Sequence, residues 1–271
     1  MYVFLLYILA EGFLRLVQFI SLCLLIIITG CSTPEESLVS RDIVSSSPIE
    51  YLLKENFIDI SNTDLFPEVG SVRDKDGNLI GSGVLIAPSV VLTAGHVIDN
   101  DSSFMFRIGE WDVMIKEKIL HPRYSNTWTL NNDIGIIVLE CGVDEIEPAK
   151  LHSDGWLYRR SPLTTVGFSG DCKRKSSAGT FFYYGTLQEN PTQIKFLPLK
   201  DTVWYGDSGG AVYGRVNGKL VLVGIISNFS MSEGRIIDNS ATKVLFFYKW
   251  IMEVLDGLNR EAIAASIVVV E

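Results

Sequence analysis

From Val69 onward the chain is written in short runs of β-branched and aromatic residues, each cut off by turn chemistry before a helical period can build up. Residues 69–72, 79–86, 90–93, 105–108, 113–120 and 134–139 form one series of runs. Residues 163–167, 180–187, 193–197, 210–216 and 220–227 form a second. Asp76-Gly77-Asn78 and Asn217-Gly218 fall between neighbouring runs, and both supply residue types that tight hairpins require. Ala87-Pro88-Ser89 makes a further turn. Runs this short and closely spaced exclude the crossover helices of a parallel sheet, so the pattern predicts an antiparallel barrel or sandwich. Residues 246–258 have helical spacing and no proline, which predicts one amphipathic helix near the end.

Ahead of the strands, residues 14–28 are almost wholly apolar, with Arg15 at their front and Thr29-Gly30-Cys31 behind them. A positive charge, an apolar stretch and small residues before a cut are the layout of a secretory signal. Ile28-Thr29-Gly30-Cys31 also resembles the bacterial lipobox. That resemblance implies cleavage before Cys31, a diacylglycerol thioether on its sulfur, acylation of the new amine, and residence in the bacterial cell envelope. The competing reading is an uncleaved membrane-spanning helix, for which residues 1–28 are long enough. Glu11 and Gly12 interrupt that run, and the small-residue ending fits cleavage better. The expected organisation is a signal at 1–30, a lipidated Cys31 with its extension through 62, a β domain at 63–258 and a tail at 259–271. Within the extension, residues 32–48 are rich in Ser, Pro and Thr and read as a tether, and 49–58 as a short helix.

A chain of 271 residues holds one large β domain or two smaller ones. Its formal charge of −9 and lack of a basic stripe argue against nucleic acid as a partner. Lys173-Arg174-Lys175 is the densest basic cluster and reads as a solvated loop. Of the four cysteines, Cys23 lies in the signal and Cys31 at the lipobox. Cys141 and Cys172 remain, either as a disulfide suited to an oxidising compartment or as two unrelated thiols. Their spacing suits no metal site.

Three segments carry the chemistry. The first runs from Gly81-Ser82-Gly83 through two apolar stretches to Thr93-Ala94-Gly95-His96, where the chain leaves a strand and can present an imidazole. The second is His121-Pro122-Arg123-Tyr124 followed by Asn131-Asn132-Asp133, a carboxylate at the mouth of a buried run. The third is Gly206-Asp207-Ser208-Gly209-Gly210. Singly, each reads as a packed histidine, a turn, or a glycine-rich bend. Jointly, in the order His, Asp, Ser, they resemble the motifs of the chymotrypsin/trypsin family. Val166-Gly167-Phe168-Ser169-Gly170, Thr242-Lys243-Val244 and Trp250-Ile251 extend the resemblance over residues 69–252.

The resemblance implies an all-β fold of two six-stranded antiparallel β-barrels with a C-terminal helix and the reacting residues in the crevice between them. It implies a serine endopeptidase acting on polypeptides through an acyl-enzyme, with His96 as base, Asp133 orienting it, Ser208 as nucleophile, and no cofactor or metal. The Gly206 and Ser208 amides become the oxyanion hole, and Thr202, Ser227, Phe229 and Asn239 line the substrate pocket. Thr202 carries no charge and Phe229 narrows the mouth, which favours small or uncharged side chains at the cleavage point. His121 and His152 lack matching contexts and read as structural or surface residues. The usual Arg-Ile-Val-Gly-Gly activation sequence is missing; Arg41-Asp42-Ile43-Val44 lies too far upstream, so Asp207 needs a partner other than a new N-terminus. Two alternatives compete. A catalytically silent homologue acting as a binding module keeps the fold but not the chemistry. An esterase of the α/β-hydrolase type fails, because its order is Ser, Asp, His.

Overall fold

The computed structural model describes residues 58–59, 64–126, 130–169, 173–176, 181–186, 191–196, 203–232 and 235–268. The segments expected as signal and tether, with Cys31, Cys172 and Thr202, lie outside the described residues. So does the short helix expected at 49–58, except that Ile58 sits in a strand.

The first barrel is built from β2 (Val69–Arg73), β3 (Leu79–Ala87), β4 (Val90–Thr93), β5 (Met105–Ile108), β6 (Trp111–Leu120) and β7 (Gly135–Leu139). It closes in the order β2-β3-β4-β7-β6-β5, with every pairing antiparallel. All five residues of β2 and all five of β7 are buried, because each strand has barrel interior on one face and covering structure on the other. The β2–β3 turn is held by Asp74. Its Oδ1 accepts the amides of Asp76 and Asn78 at 2.8 Å each, and its Oδ2 accepts the Asn78 side-chain amide at 2.9 Å. A short helix, α1 (Gly95–Ile98), follows β4.

The second sheet contains β1 (Ile58–Asp59), β8 (Pro162–Ser169), β9 (Lys173–Ser176), β10 (Phe181–Thr186), β11 (Gln193–Phe196), β12 (Ala211–Val216), β13 (Lys219–Ser232) and β14 (Arg235–Lys243). Its order is β1-β9-β8-β10-β11-β14-β13-β12, and a further β8–β12 pairing returns the last strand to the third. That pairing closes six strands into a second antiparallel barrel, with β9 and β1 added along the later half of β8. The two-barrel expectation therefore stands, extended by two edge strands. The basic run at 173–175, expected as a solvated loop, is instead part of β9, between β8 and β1.

One core cluster runs from the first barrel through Val166, Ala211, Leu222 and Ile225 of the second barrel to Val244, Phe247 and Ile251. The last three belong to α2 (Val244–Val268), so the helix leaves the second barrel and packs on the core shared with the first. It runs ten residues past the expected end at 258, so 259–268 is helix rather than tail. Ala262, Ala264 and Ala265 are strong helix formers, and no proline follows Gly257 to stop them.

Candidate functional site

His96 sits in α1 directly after β4, and its imidazole is 27 % exposed. Gly95 lets the chain approach Tyr124: a Cβ there would lie 2.7 Å from the ring. Asp133 is fully buried just before β7. Its Oδ1 accepts the His96 backbone amide at 2.9 Å, and its Oδ2 lies 2.9 Å from His96 Nδ1. The Ser227 hydroxyl donates to the same Oδ2 at 2.5 Å, and Thr242 Oγ1 donates to the Asp133 carbonyl at 2.7 Å. One carboxylate thus fixes both the backbone and the ring of His96. A buried anion with this many donors is satisfied rather than orphaned.

Ser208 lies on the bend from residue 203 to Gly210 that enters β12. Gly209 has φ +86°, and a Cβ on it would run into Ser82 O and Thr93 Oγ1, so the bend fits against the first barrel only as glycine. Ser82 fastens the bend from β3. Its amide donates to Ser208 O at 2.7 Å, and its hydroxyl donates to Gly206 O at 2.7 Å while accepting the Phe168 amide at 3.0 Å. Gly209 N donates to Ile226 O and Gly210 N to Asp207 O, both at 2.8 Å. Among the described residues, the Gly206 and Ser208 amides have no acceptor. They flank a cleft of about 660 Å³ whose walls include His96, Ser208, Leu130, Ser227 and Phe229. The Ser208 hydroxyl donates to Ser227 O over a long 3.4 Å, and none of the described hydrogen bonds joins it to His96. A weakly held hydroxyl, an oriented imidazole and two free amides in one cleft are the parts that nucleophilic attack on a carbonyl uses.

Residues 60–251 match the family described as Trypsin. The chain belongs to the trypsin family. It is 24 % identical over 192 residues to vitamin K-dependent protein C of the rabbit, Oryctolagus cuniculus, covering 57 % of this chain and 42 % of that protein. It therefore spans less than half the length of that relative.

Around this trypsin-family site the sequence-derived assignments divide. His96, Asp133, Ser208, Gly206, Ser227 and Phe229 come together. Ser227 lines the cleft and in addition holds Asp133 with its hydroxyl, a contact that no motif signals. Phe229 stacks on Trp204 at 5.6 Å and 11°, with Tyr205 edge-on at 5.6 Å, making an aromatic wall beside the cleft. Asn239 lies behind this wall, opposite Phe229 in the β13–β14 register. It is wholly buried, and among the described residues its amide nitrogen and oxygen both have no partner. Asp207, 3 % exposed, receives the Ser169 hydroxyl and the Trp204 amide at 2.8 Å each. Ser82, Ser169 and Thr242 were present in the motifs but carry roles that only the fold reveals.

Cys141 is an exposed free thiol two residues beyond β7, and its candidate partner Cys172 is outside the described residues. His121 and His152 stay outside the site. His121 packs edge-on against Phe247 and Trp250 at 4.9 Å each, and His152 is buried. Burial pushes the pKa of both below the usual imidazole range; Arg123 adds to this at His121. Among the described residues no cluster of His, Cys, Asp and Glu could hold a metal.

Proposed function

We propose that the protein is a serine endopeptidase. The observation that carries this reading is the Asp133–His96 pair opening on the same cleft as the Ser208 hydroxyl and the unpartnered Gly206 and Ser208 amides. A rotation about χ1 takes the Ser208 hydroxyl from Ser227 O toward the free imidazole nitrogen; such bonds are often long before substrate binds. As Ser208 Oγ forms its bond to the scissile carbonyl carbon, its proton passes to His96 Nε2. Asp133 stabilises the resulting imidazolium and fixes the tautomer. The carbonyl oxygen, now an anion, takes the two free amides, each contributing about 3 kcal/mol. His96 returns the proton to the departing amine, and water repeats the sequence to release the acid.

Donation from Ser169 and Trp204 to Asp207 supports an oxyanion loop assembled without a newly cut N-terminus, so the chain acts without zymogen processing. Export and acylation at Cys31 would tether the domain to a bacterial envelope membrane, a reading supported by the lipobox-like sequence. Thr202, Phe229 and Asn239 would favour a small or uncharged residue at the cleavage point.

Labelling with an organophosphonate, followed by peptide mapping, tests the enzyme. The modification is expected on Ser208 and lost in Ser208→Ala together with peptide hydrolysis. A folded wild type that neither labels nor cleaves would leave the silent homologue, which the Ser208–Ser227 bond favours.

A further inference from the structure

We infer that Asn239 is a specificity-determining residue of the cleft, its carboxamide taking the side-chain carboxamide of a substrate glutamine or asparagine at the cleavage point. This specificity rests on the endopeptidase reading above and narrows its uncharged preference to one chemical class.

Asn239 is wholly buried in β14, and among the described residues its side chain is the only one buried with both a nitrogen and an oxygen unpartnered. Buried polar groups almost always find partners, because each one left without costs stability. The strand is not short of partners elsewhere: the next residue, Ser240, donates its hydroxyl to Asn228 Oδ1 on β13. The neighbours on the Asn239 face offer none. Its register mates are Phe229 on β13 and Phe196 on β11, and residues opposite one another in an antiparallel pair share a face. Two residues along that face, Ala241 lies in the apolar core of the second barrel with Ile194 and Ile226. Asn239 is thus a polar group set in an apolar wall, beside the Phe229 that lines the cleft.

Its cover is aromatic and movable. Phe229 is half-buried and rests on ring contacts, stacked on Trp204 with Tyr205 edge-on. Those two rings are themselves 41 % and 69 % exposed. Rotation of a ring about χ1 is fast beside turnover. Turning Phe229 aside opens Asn239 to the cleft that holds His96 and Ser208.

Chemistry selects the side chain that enters. Asn239 offers two N–H donors and a carbonyl acceptor. A primary carboxamide answers with the same set, so one N–H···O bond runs each way. A carboxylate or ammonium would sit beside a neutral amide and two phenyl rings, with no counter-charge from Phe196, Phe229 or Ala241. An apolar side chain leaves both amide atoms unpaired, the arrangement in which a site rejects an isostere most strongly.

The test uses the full chain on peptides that differ only at the cleavage point. The better of glutamine and asparagine is expected to exceed its apolar isostere, methionine or leucine, by roughly 100-fold in kcat/KM. Equal rates for carboxamide and isostere, or a preference for glutamate or lysine, overturn the proposal. Asn239→Leu should erase the preference, slowing the carboxamide peptide and speeding its isostere. Its urea midpoint should hold or rise, because an apolar group of similar size removes the unpaired atoms. A lower midpoint with one common fall in kcat/KM across the peptides marks a structural residue and also overturns the proposal. If Asn239→Leu does not fold, the wild-type comparison decides alone. Calorimetry on Ser208→Ala, which holds the peptides uncut, is expected to return the same order of affinity. A chain that cleaves and takes the organophosphonate without the preference keeps the enzyme and loses this specificity. A chain that does neither, yet binds in that order, loses the enzyme and keeps the recognition. Binding without that order overturns it whatever Ser208 does.

Discussion

At Asp133 a single buried carboxylate sets the geometry of the candidate site. Two of its donors come from His96 and the third is the Ser227 hydroxyl, all taken within the protein. A hydrogen bond to a charged group contributes about 1.5–3 kcal/mol. Ser227→Ala is therefore expected to lower kcat about 10- to 100-fold. KM should change little, because the hydroxyl points at the acid and not at substrate; steady-state kinetics on a fluorogenic peptide check both parameters. A rise in KM with kcat unchanged would return Ser227 to the substrate pocket. His96, Asp133 and Ser208 could be picked out of the sequence as candidates because the proposed chemistry demands fixed residue types in fixed local settings, and the structure brings the three together. The contacts of Ser227 and Ser82 could not be, since a serine that bonds across 94 or 124 residues carries no local signature. Only the closing of the barrels brings Ser82 of β3 beneath the nucleophile bend.

Among the elements, legibility followed side-chain character. β2, β4 and β7 are buried throughout and rich in β-branched apolar residues, and were readable as strands. β9 and β14 were not. The first is basic and adds to the β8 edge; the second contains Asp238 and Asn239, poor strand formers held extended by β11 and β13 on either side. Hairpins were easier, because the turn imposes its own residues. Asn217 has φ +51° and Gly218 φ +78°, the paired positive values of a two-residue turn matched to strand twist. Nothing lies within 4 Å of a Cβ added at Gly218, so Gly218→Ala should cost backbone strain alone, about 1 kcal/mol. Gly209→Ala meets the same conformational cost plus collision with Ser82 and Thr93. Urea denaturation should show a modest loss for the first, with activity retained. For the second, either no folded protein or a folded protein with a displaced Ser208 and no probe labelling is expected. Equal stability losses would mean that the bend yields more easily than its packing implies.

For the whole molecule, the two barrels are joined by more than the site. α2 follows the second barrel yet packs Val244, Phe247 and Ile251 into the core cluster of the first, with His121 edge-on to Phe247 and Trp250 at that seam. His152 is buried on the second barrel, where Lys243 further opposes its protonation and the Asp154 and Gly155 backbone groups favour it. Both histidines have folded pKa values held below the ordinary 6.5, chiefly by burial. Above 6.5 the folded and unfolded chains are both neutral at these positions, and their contribution to stability does not vary with pH. As the pH falls through 6.5, the unfolded chain takes up protons that the folded chain resists, so stability declines with acid until the folded pKa values are also passed. The urea midpoint is therefore expected to fall between about pH 7 and pH 5. In the double variant His121→Gln, His152→Gln the same measurement should show a flatter dependence, whatever the variant loses at neutral pH. That slope separates protonation from packing, because a cavity or a lost ring contact lowers stability equally at both pH values. An unchanged slope would assign the acid sensitivity to other groups and leave the α2 seam without a role in it.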